Sequence, residues 1–385
     1  MNAARVRPRG AMSPARCATK VVFVGQFPPP VNGLTFITGR LAEALTRAGY
    51  DLSITNTAGP VRRRSLVFHA TRLAKTFRAL WSIALHSSSG ESRVCYLTAE
   101  GGLGLIYSVM IASWARLFRF RIFIHHHSYS YIIAKRCLMA FLLVVAGPKA
   151  THICLSEGMA RDLARRYRRK SQALVLTNAA FVDTSALEIQ RDRRDDLTIG
   201  LLSNLTPDKG LYQFIEILRL AKERGLPFHG VLAGPIPRDS DQCFLESLKE
   251  ELAGRLDYRG PVYDEDKARF FRDVDVFVFP TTYLNEAQPT VLFEAMANGV
   301  PVISFDRGCI RDQVANAGFL FERETDFVDQ ALHALALYHE DPARLAASRR
   351  AALARYKDER RAGLAQIGAL FEVPVVAVGT RSHEG

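Results

Sequence analysis

Short apolar runs alternate with longer amphipathic stretches along almost the whole chain. Val21–Gly25, Asp51–Thr55, Val94–Thr98, Arg121–His125, Thr151–Leu155 and Ala173–Thr177 read as strands. Helical patterns fill the gaps at Thr35–Arg47, Ser65–Ser87, Leu103–Phe118, Ile132–Ala146 and Glu157–Tyr167; in the first, Leu41, Leu45 and Ala48 share one face. A charged segment, 185–196, interrupts the alternation, which then restarts. Strands are predicted at Leu197–Leu202, Phe228–Ala233, Asp257–Tyr258, Val276–Phe279, Pro301–Phe305 and Phe319–Leu320. Helices are predicted at Leu211–Glu223, Asp241–Leu252, Glu265–Arg272, Phe327–Tyr338 and from Pro342 to about residue 371. Alternating strand and helix builds a parallel sheet with helices on both faces. Two runs of it predict an α/β protein with two Rossmann-like, doubly wound domains facing a cleft. Their expected bounds are 20–184 and 197–371, joined by the linker 185–196. Residues 1–19 read as a basic tail and 372–385 as a second tail.

A chain of 385 residues is long enough for two such cores. The charge changes the picture more than the length does. Residues 1–185 carry 26 Lys and Arg against 7 Asp and Glu, whereas the remainder carries 25 against 32. The basic half suits an anionic membrane surface, a lipid-linked phosphate or nucleic acid. The 6 Cys are scattered with no C-x-x-C pair, as expected of a reduced cytoplasmic protein. The apolar, charge-free stretches 101–115 and 137–148 fall short of the roughly 20 apolar residues a spanning helix needs.

The densest candidate chemistry lies in residues 280–300. The strand Val276–Phe279 ends at Pro280, and a polar loop leads to Pro289, which suits the first position of a helix. Gly299 suits its stop. Glu286 then sits in the loop and Glu294 in an otherwise apolar helix. Amides near Gln288, Pro289 and Thr290 open that helix and offer unpaired N–H groups to a phosphate. Carboxylates flanking an anion site suit hydroxyls on either side of it, so the ligand shape implied is a diphosphate with a sugar at each end. A second loop, Leu202–Gly210, also runs from strand to helix. Its Lys209 places a cation at a helix N-terminus, where the dipole disfavours it unless an anion lies between.

The 280–302 stretch resembles the E-x7-E signature of retaining glycosyltransferases of family 4, with the GT-B fold. The match covers Glu286, Pro289, Glu294, Ala295, Met296, Ala297, Gly299, Pro301 and Val302; Ala287 stands where many members have Gly. Residues 202–210 resemble that family's G-R-L-x-x-x-K-G loop, which holds the donor pyrophosphate. Lys209 carries over, while Asn204 occupies the Arg position, leaving Arg307 as a candidate source of the absent charge. Asn32-Gly33 stands where the family has a Gly-rich loop, with one Gly instead of two. The family also places a His at a strand end near the transferred sugar; His127 is the best match in His125-His126-His127, with His125 second.

The resemblance implies a retaining hexosyltransferase using a nucleotide-diphosphate sugar, with no metal or other cofactor. Its catalytic residues would be Glu286, His127 and Lys209. Its donor-binding residues would be Glu294, Asn204, Gln288, Pro289, Thr290, Gly33 and His125. The acceptor would be lipid-linked or an oligosaccharide, in cell-surface polysaccharide or lipopolysaccharide synthesis, at the inner face of the cytoplasmic membrane. There the basic N-terminal domain, and the basic, aromatic helix 65–87 in particular, would meet anionic lipid. Arg165, Arg166, Arg168, Arg169 and Lys170 form a second basic cluster. A soluble enzyme acting on a small molecule or protein, an epimerase and a non-catalytic binding protein are the alternatives. Nucleic acid is disfavoured because no binding module is recognisable. The Asp273-Val274-Asp275 string is set aside as a metal motif because it opens a buried strand. Gly101-Gly102-Leu103-Gly104 lacks the third Gly of a dinucleotide fingerprint.

Overall fold

A computed structural model of the protein describes residues 19–29, 31–59, 66–88, 93–169, 172–183, 196–322 and 326–371. The linker up to residue 195, the tails 1–18 and 372–385, and Lys170 of the second basic cluster lie outside the described residues.

The first half runs β1 (Lys20–Gly25), α1 (Gly33–Arg47), β2 (Asp51–Asn56), α2 (Leu66–Leu85), β3 (Val94–Ala99), α3 (Leu105–Leu117) and β4 (Arg121–His126). It continues through α4 (Ser130–Ile133), α5 (Cys137–Ala146), β5 (Thr151–Cys154), α6 (Glu157–Tyr167) and β6 (Gln172–Val175). The second half runs β7 (Leu197–Leu202), α7 (Leu211–Glu223), β8 (Phe228–Ala233), α8 (Asp239–Ser247), β9 (Leu256–Tyr258), α9 (Asp264–Asp273) and β10 (Val276–Phe279). After it come α10 (Thr290–Ala297), β11 (Val302–Phe305), α11 (Ile310–Val314), β12 (Gly318–Phe321), α12 (Phe327–Glu340) and α13 (Pro342–Gly368).

Two 6-stranded sheets result, ordered β2-β1-β3-β4-β5-β6 and β12-β11-β10-β7-β8-β9. Every pairing in both is parallel. The expected pair of doubly wound sheets is therefore present. Strand order reverses between β1 and β3 in one sheet and between β7 and β10 in the other, so each has a crevice at the carboxyl ends of those strands.

The core explains why the strands read as unbroken apolar runs: both faces are covered. Helices α2, α3, α5 and α6 bury one face of the first sheet with Val22, Leu97 and Ile124; α1 buries the other with Phe23, Tyr96 and Phe123. Ile367, Leu370 and Phe371, at and beyond the end of α13, join that second face. Conversely, Ala287 and Cys309, from loops after β10 and β11, pack into the first sheet's core.

Several element ends differ from expectation for local reasons. Helix α1 starts at Gly33 because Asn32 caps it: its side chain accepts from the Thr35 amide at 3.1 Å while Thr35 Oγ1 accepts from the Asn32 amide at 2.9 Å. Pro289 precedes the first helical residue of α10 instead of occupying it. Gly299 stops that helix as expected, with φ at 64°. The single helix expected over 132–146 is two, broken where Ala134 turns extended and the Arg136 amide donates to Tyr167 Oη at 3.1 Å. The short α11 lies between β11 and β12, where the pattern predicts no helix.

Candidate functional site

The two crevices face each other across a cleft of about 1180 Å³. Residues directly after β7 and β10 lie at its floor on one side, and those after β1, β3 and β4 line the other. Both carboxylates of the E-x7-E stretch line the cleft, as do Lys209, Asn204, Thr290, Gly33 and His127.

Lys209 and Glu286 flank the reversal point of the second sheet. Lys209 Nζ lies 2.5 Å from Glu286 Oε2, and Thr281 Oγ1 donates to the same oxygen at 3.2 Å. The ammonium also sits 4.5 Å from the Tyr283 ring centroid and 5.7 Å from that of Phe279. The loop can hold this position because Gly210 takes φ at 92°; a Cβ there would lie 2.3 Å from Pro280 Cγ. Both charged side chains are mostly removed from water, at 20% and 10% exposure. A pair this desolvated adds little net stability, because lost hydration offsets the Coulomb attraction. What it does provide is a cation pre-set at a strand end.

Glu294 points from α10 into the same cleft and meets Lys267 Nζ of α9 at 2.6 Å. Nothing in the sequence ties Lys267 to Glu294; only the packing of α9 beside α10 does. Arg307, the expected second cation, lies behind the loop with Nη1 donating to the Thr281 carbonyl at 3.4 Å, and it is not among the residues lining the cleft. Among the described residues the cations that line the cleft beside Lys209 are Lys267 and Arg40, the latter paired with Asp183. The helix start at α10 is held from behind, since Pro289 O accepts from Gln313 Nε2 at 2.9 Å.

The three histidines separate as alternation requires. His127 reaches the cleft. Its Nε2 is buried and has no hydrogen-bond partner among the described residues. Burial lowers its pKa to about 3, so the ring is neutral at ordinary pH. His125 lies behind it, ring centroids 3.9 Å apart, with Nδ1 paired to Tyr96 Oη at 2.7 Å. The expected contact of His125 with a donor is corrected on this point: it is fully buried, does not line the cleft, and backs His127. His126 faces the opposite side, between Tyr131 Oη at 3.0 Å and His152 Nδ1 at 2.9 Å.

Gln288 lines the cleft, and its side chain ties the two halves together. Gln288 Oε1 accepts from the Asn178 amide at 2.7 Å, and Nε2 donates to Leu155 O at 2.9 Å. Asn178 Nδ2 donates to Gln288 O at 2.7 Å. Two further bonds cross nearby: Ser128 Oγ to Asn285 Oδ1 at 3.1 Å, and the Gly158 amide to Asp312 Oδ2 at 3.0 Å. Asp273 and Asp275 are structural, as their position at a buried strand implied. Asp273 pairs with Arg259 at 2.8 Å, and Asp275 accepts from the Thr198 amide at 3.0 Å and from Arg349.

Comparison with known proteins follows the same division. Residues 185–357 match the family model described as glycosyl transferases group 1. Matches to curated relatives span two fifths of their length or less. One, the phosphatidyl-myo-inositol mannosyltransferase of Mycolicibacterium smegmatis, is 30% identical over 163 residues, 40% of each chain. Among solved structures, the sucrose-phosphate synthase of Thermosynechococcus elongatus superposes with a TM-score of 0.67 at 18% identity, over 92% of this chain and 98% of that one. Anabaena Alr3699/HepE, solved in complex with UDP, gives 0.66 at 15% identity over 91% and 98%. The architecture is the GT-B fold, and its second half carries the group 1 glycosyl transferase sequence pattern.

Proposed function

We propose that the protein transfers a hexose from a nucleotide-diphosphate sugar to an acceptor, with retention of configuration. The observation that carries this is the Lys209–Glu286 pair at the second sheet's reversal point, with His127 lining the opposite side of the same cleft. The match of residues 185–357 to glycosyl transferases group 1 and the resemblance of the E-x7-E stretch support the same reading. Lys209 and the first amides of α10 stabilise charge growing on the departing diphosphate, a preorganised site of the kind that lowers such barriers most. That positive charge comes from the chain itself, so the proposed chemistry uses no metal ion or other cofactor. Glu294 accepts from ribose hydroxyls once the ligand displaces Lys267, and Glu286 contacts the sugar. The neutral His127 hydrogen-bonds a sugar hydroxyl from the opposite wall. Closure of the cleft excludes water, so transfer outcompetes hydrolysis.

The acceptor is proposed to be lipid-linked and to approach from the basic first half, with the protein peripheral on the inner membrane face. In support, the mycobacterial relative named above acts, by its name, on a phosphatidyl-inositol. A thermal-shift panel of UDP-, GDP- and ADP-sugars tests the donor site. A specific ligand at hundredfold excess over Kd stabilises the native state by about 2.7 kcal/mol. A shift with one nucleotide class that disappears in Lys209→Ala and Glu294→Ala is expected. A folded protein that shifts with none of them would overturn the donor site.

A further inference from the structure

Helix α2 is apolar on both sides. Its inner face, with Ala79 and Ile83, packs on the first sheet. Its outer face presents Leu73, Phe77, Trp81 and Leu85 at 41%, 57%, 67% and 59% exposure, a stripe with four-residue spacing. A helix apolar all round in a protein of this kind has a partner. Its cations point elsewhere: Arg72 is buried in an ion pair with Glu100, and Lys75 donates to the Ala58 carbonyl. The basic helix expected from the sequence thus turns out to show hydrocarbon, with Arg78 at its flank.

The stripe continues across the layer. Helix α3 packs between α2 and α5. It adds Ile106 and Leu117 at 48% and 66% exposure, and α5 adds Phe141 and Val144 at 53% and 49%. Residues 66–88 and 101–156 contain no Asp or Glu. Arg116, Arg119 and Lys149 stand exposed at the far ends of α3 and α5, and Lys135 and Arg136 at the near end of α5. Beside them, Arg165, Arg166 and Arg168 line a recess of about 440 Å³ with Ile132, Ile133 and Asp162, whose carboxylate pairs with Arg165 at 2.5 Å. Among the described residues no helix is long and apolar enough to cross a membrane.

We infer that the outer face of α2, α3 and α5 is a docking surface for an anionic lipid bilayer. Apolar side chains enter the acyl boundary, and the surrounding Arg and Lys meet acidic headgroups, the arrangement that holds interfacial helices. A second copy of this chain fits less well. A two-fold contact through α2, α3 and α5 would press Arg116, Arg119, Lys135, Arg136 and Lys149 together, and residues 66–88 and 101–156 offer no carboxylate to pair them. The surface reaches the cleft mouth: Leu103, 78% exposed, is two residues from Gly101, which lines the cleft. A substrate carried in the membrane would therefore be delivered at the active edge. Docking needs no donor, so its failure and a failure of glycosyl transfer are separate results.

The test is flotation of the full chain with vesicles of phosphatidylglycerol and phosphatidylcholine, and with phosphatidylcholine alone, without nucleotide sugar. The chain has 2 Trp, so in a Trp114→Phe background the fluorescence of Trp81 reports its own surroundings. Flotation with the anionic vesicles and a blue shift of Trp81 are expected. Phe77→Ser with Trp81→Ser, placed at exposed positions and checked for folding by circular dichroism, weakens binding by at least about tenfold. Unchanged flotation of that variant overturns the inference, as does equal binding to neutral vesicles. So does a dimer in lipid-free light scattering that the same variant dissociates.

Discussion

Lys209 and Glu286, 77 residues apart in the chain, meet at 2.5 Å because the loops after β7 and β10 leave adjacent strands. Strand adjacency alone brings them together. Each loop is built for the meeting, one by the positive φ of Gly210 and the other by Thr281, which orients the carboxylate.

Removing the cation is the most direct test of the proposed chemistry. Lys209→Ala takes away charge stabilisation that matters chiefly as the diphosphate leaves. A fall in kcat of about 10²- to 10³-fold, with a smaller change in KM, is expected from initial rates on the donor that the thermal-shift panel selects. A variant that keeps native kcat removes Lys209 from the reaction.

Glu294 and Lys267 divide nucleotide binding differently. Glu294→Ala loses hydrogen bonds from a charged acceptor, worth about 1.5–3 kcal/mol or roughly ten- to hundredfold in Kd. Lys267→Ala frees Glu294 from its cation, so calorimetric titration is expected to show a milder loss or a gain. Equal large losses in both would mean that Lys267 touches the ligand itself.

His127→Ala separates sugar from nucleotide. His127 lines the cleft on the side opposite Lys209, so the change is expected to lower kcat/KM while leaving the affinity for the free nucleoside diphosphate within about twofold. A matched loss of nucleoside diphosphate affinity would place His127 elsewhere in the complex.

The buried imidazoles also set an acid limit on stability. Burial lowers the pKa of His127 to about 3 and that of His152 to about 4; His125 and His126 are lowered well below the ordinary value, first by burial and then by neighbouring histidines. The unfolded chain binds these protons from about pH 6.5 downward, whereas in the folded chain His127 and His152 refuse them until near pH 3–4. Stability is therefore complete above about pH 6.5 and lost as pH falls, by up to about 1.4 kcal/mol per pH unit for each such group. A melting temperature unchanged between about pH 7.5 and 5.5 would contradict neutral burial of this cluster.

Gln288→Ala probes the strut between the halves. It leaves the Asn178 amide and Leu155 carbonyl buried without their partner, at about 1–3 kcal/mol each. A lower urea midpoint and a raised donor KM are expected together, because α10 begins two residues later. A lowered midpoint with unchanged KM would confine Gln288 to stability.

The sequence by itself determined the alternation of strands and helices, because strands covered on both faces must be apolar throughout and their helices must repeat near 3.6 residues. It also determined which residues line the cleft: Glu286, Lys209 and His127 lie in segments that follow strands and Glu294 in the helix that follows such a loop, and in a doubly wound sheet those strand ends open on the crevice. Pro280, Gly210 and Gly299 mark the turns through backbone limits that need no partner. Only the tertiary structure decided the pairings. That Lys267 and not Arg307 reaches the cleft and Glu294 depends on where the fold places α9 and α10. That His125 backs His127, that Gln288 joins the halves, and that Arg72 turns inward to Glu100 while Phe77 and Trp81 face out depend on partners remote in sequence. Local pattern sets which way a residue faces relative to its own element. What it faces is set by the packing of other elements, whose side chains compete for the same buried charge and hydrogen bonds.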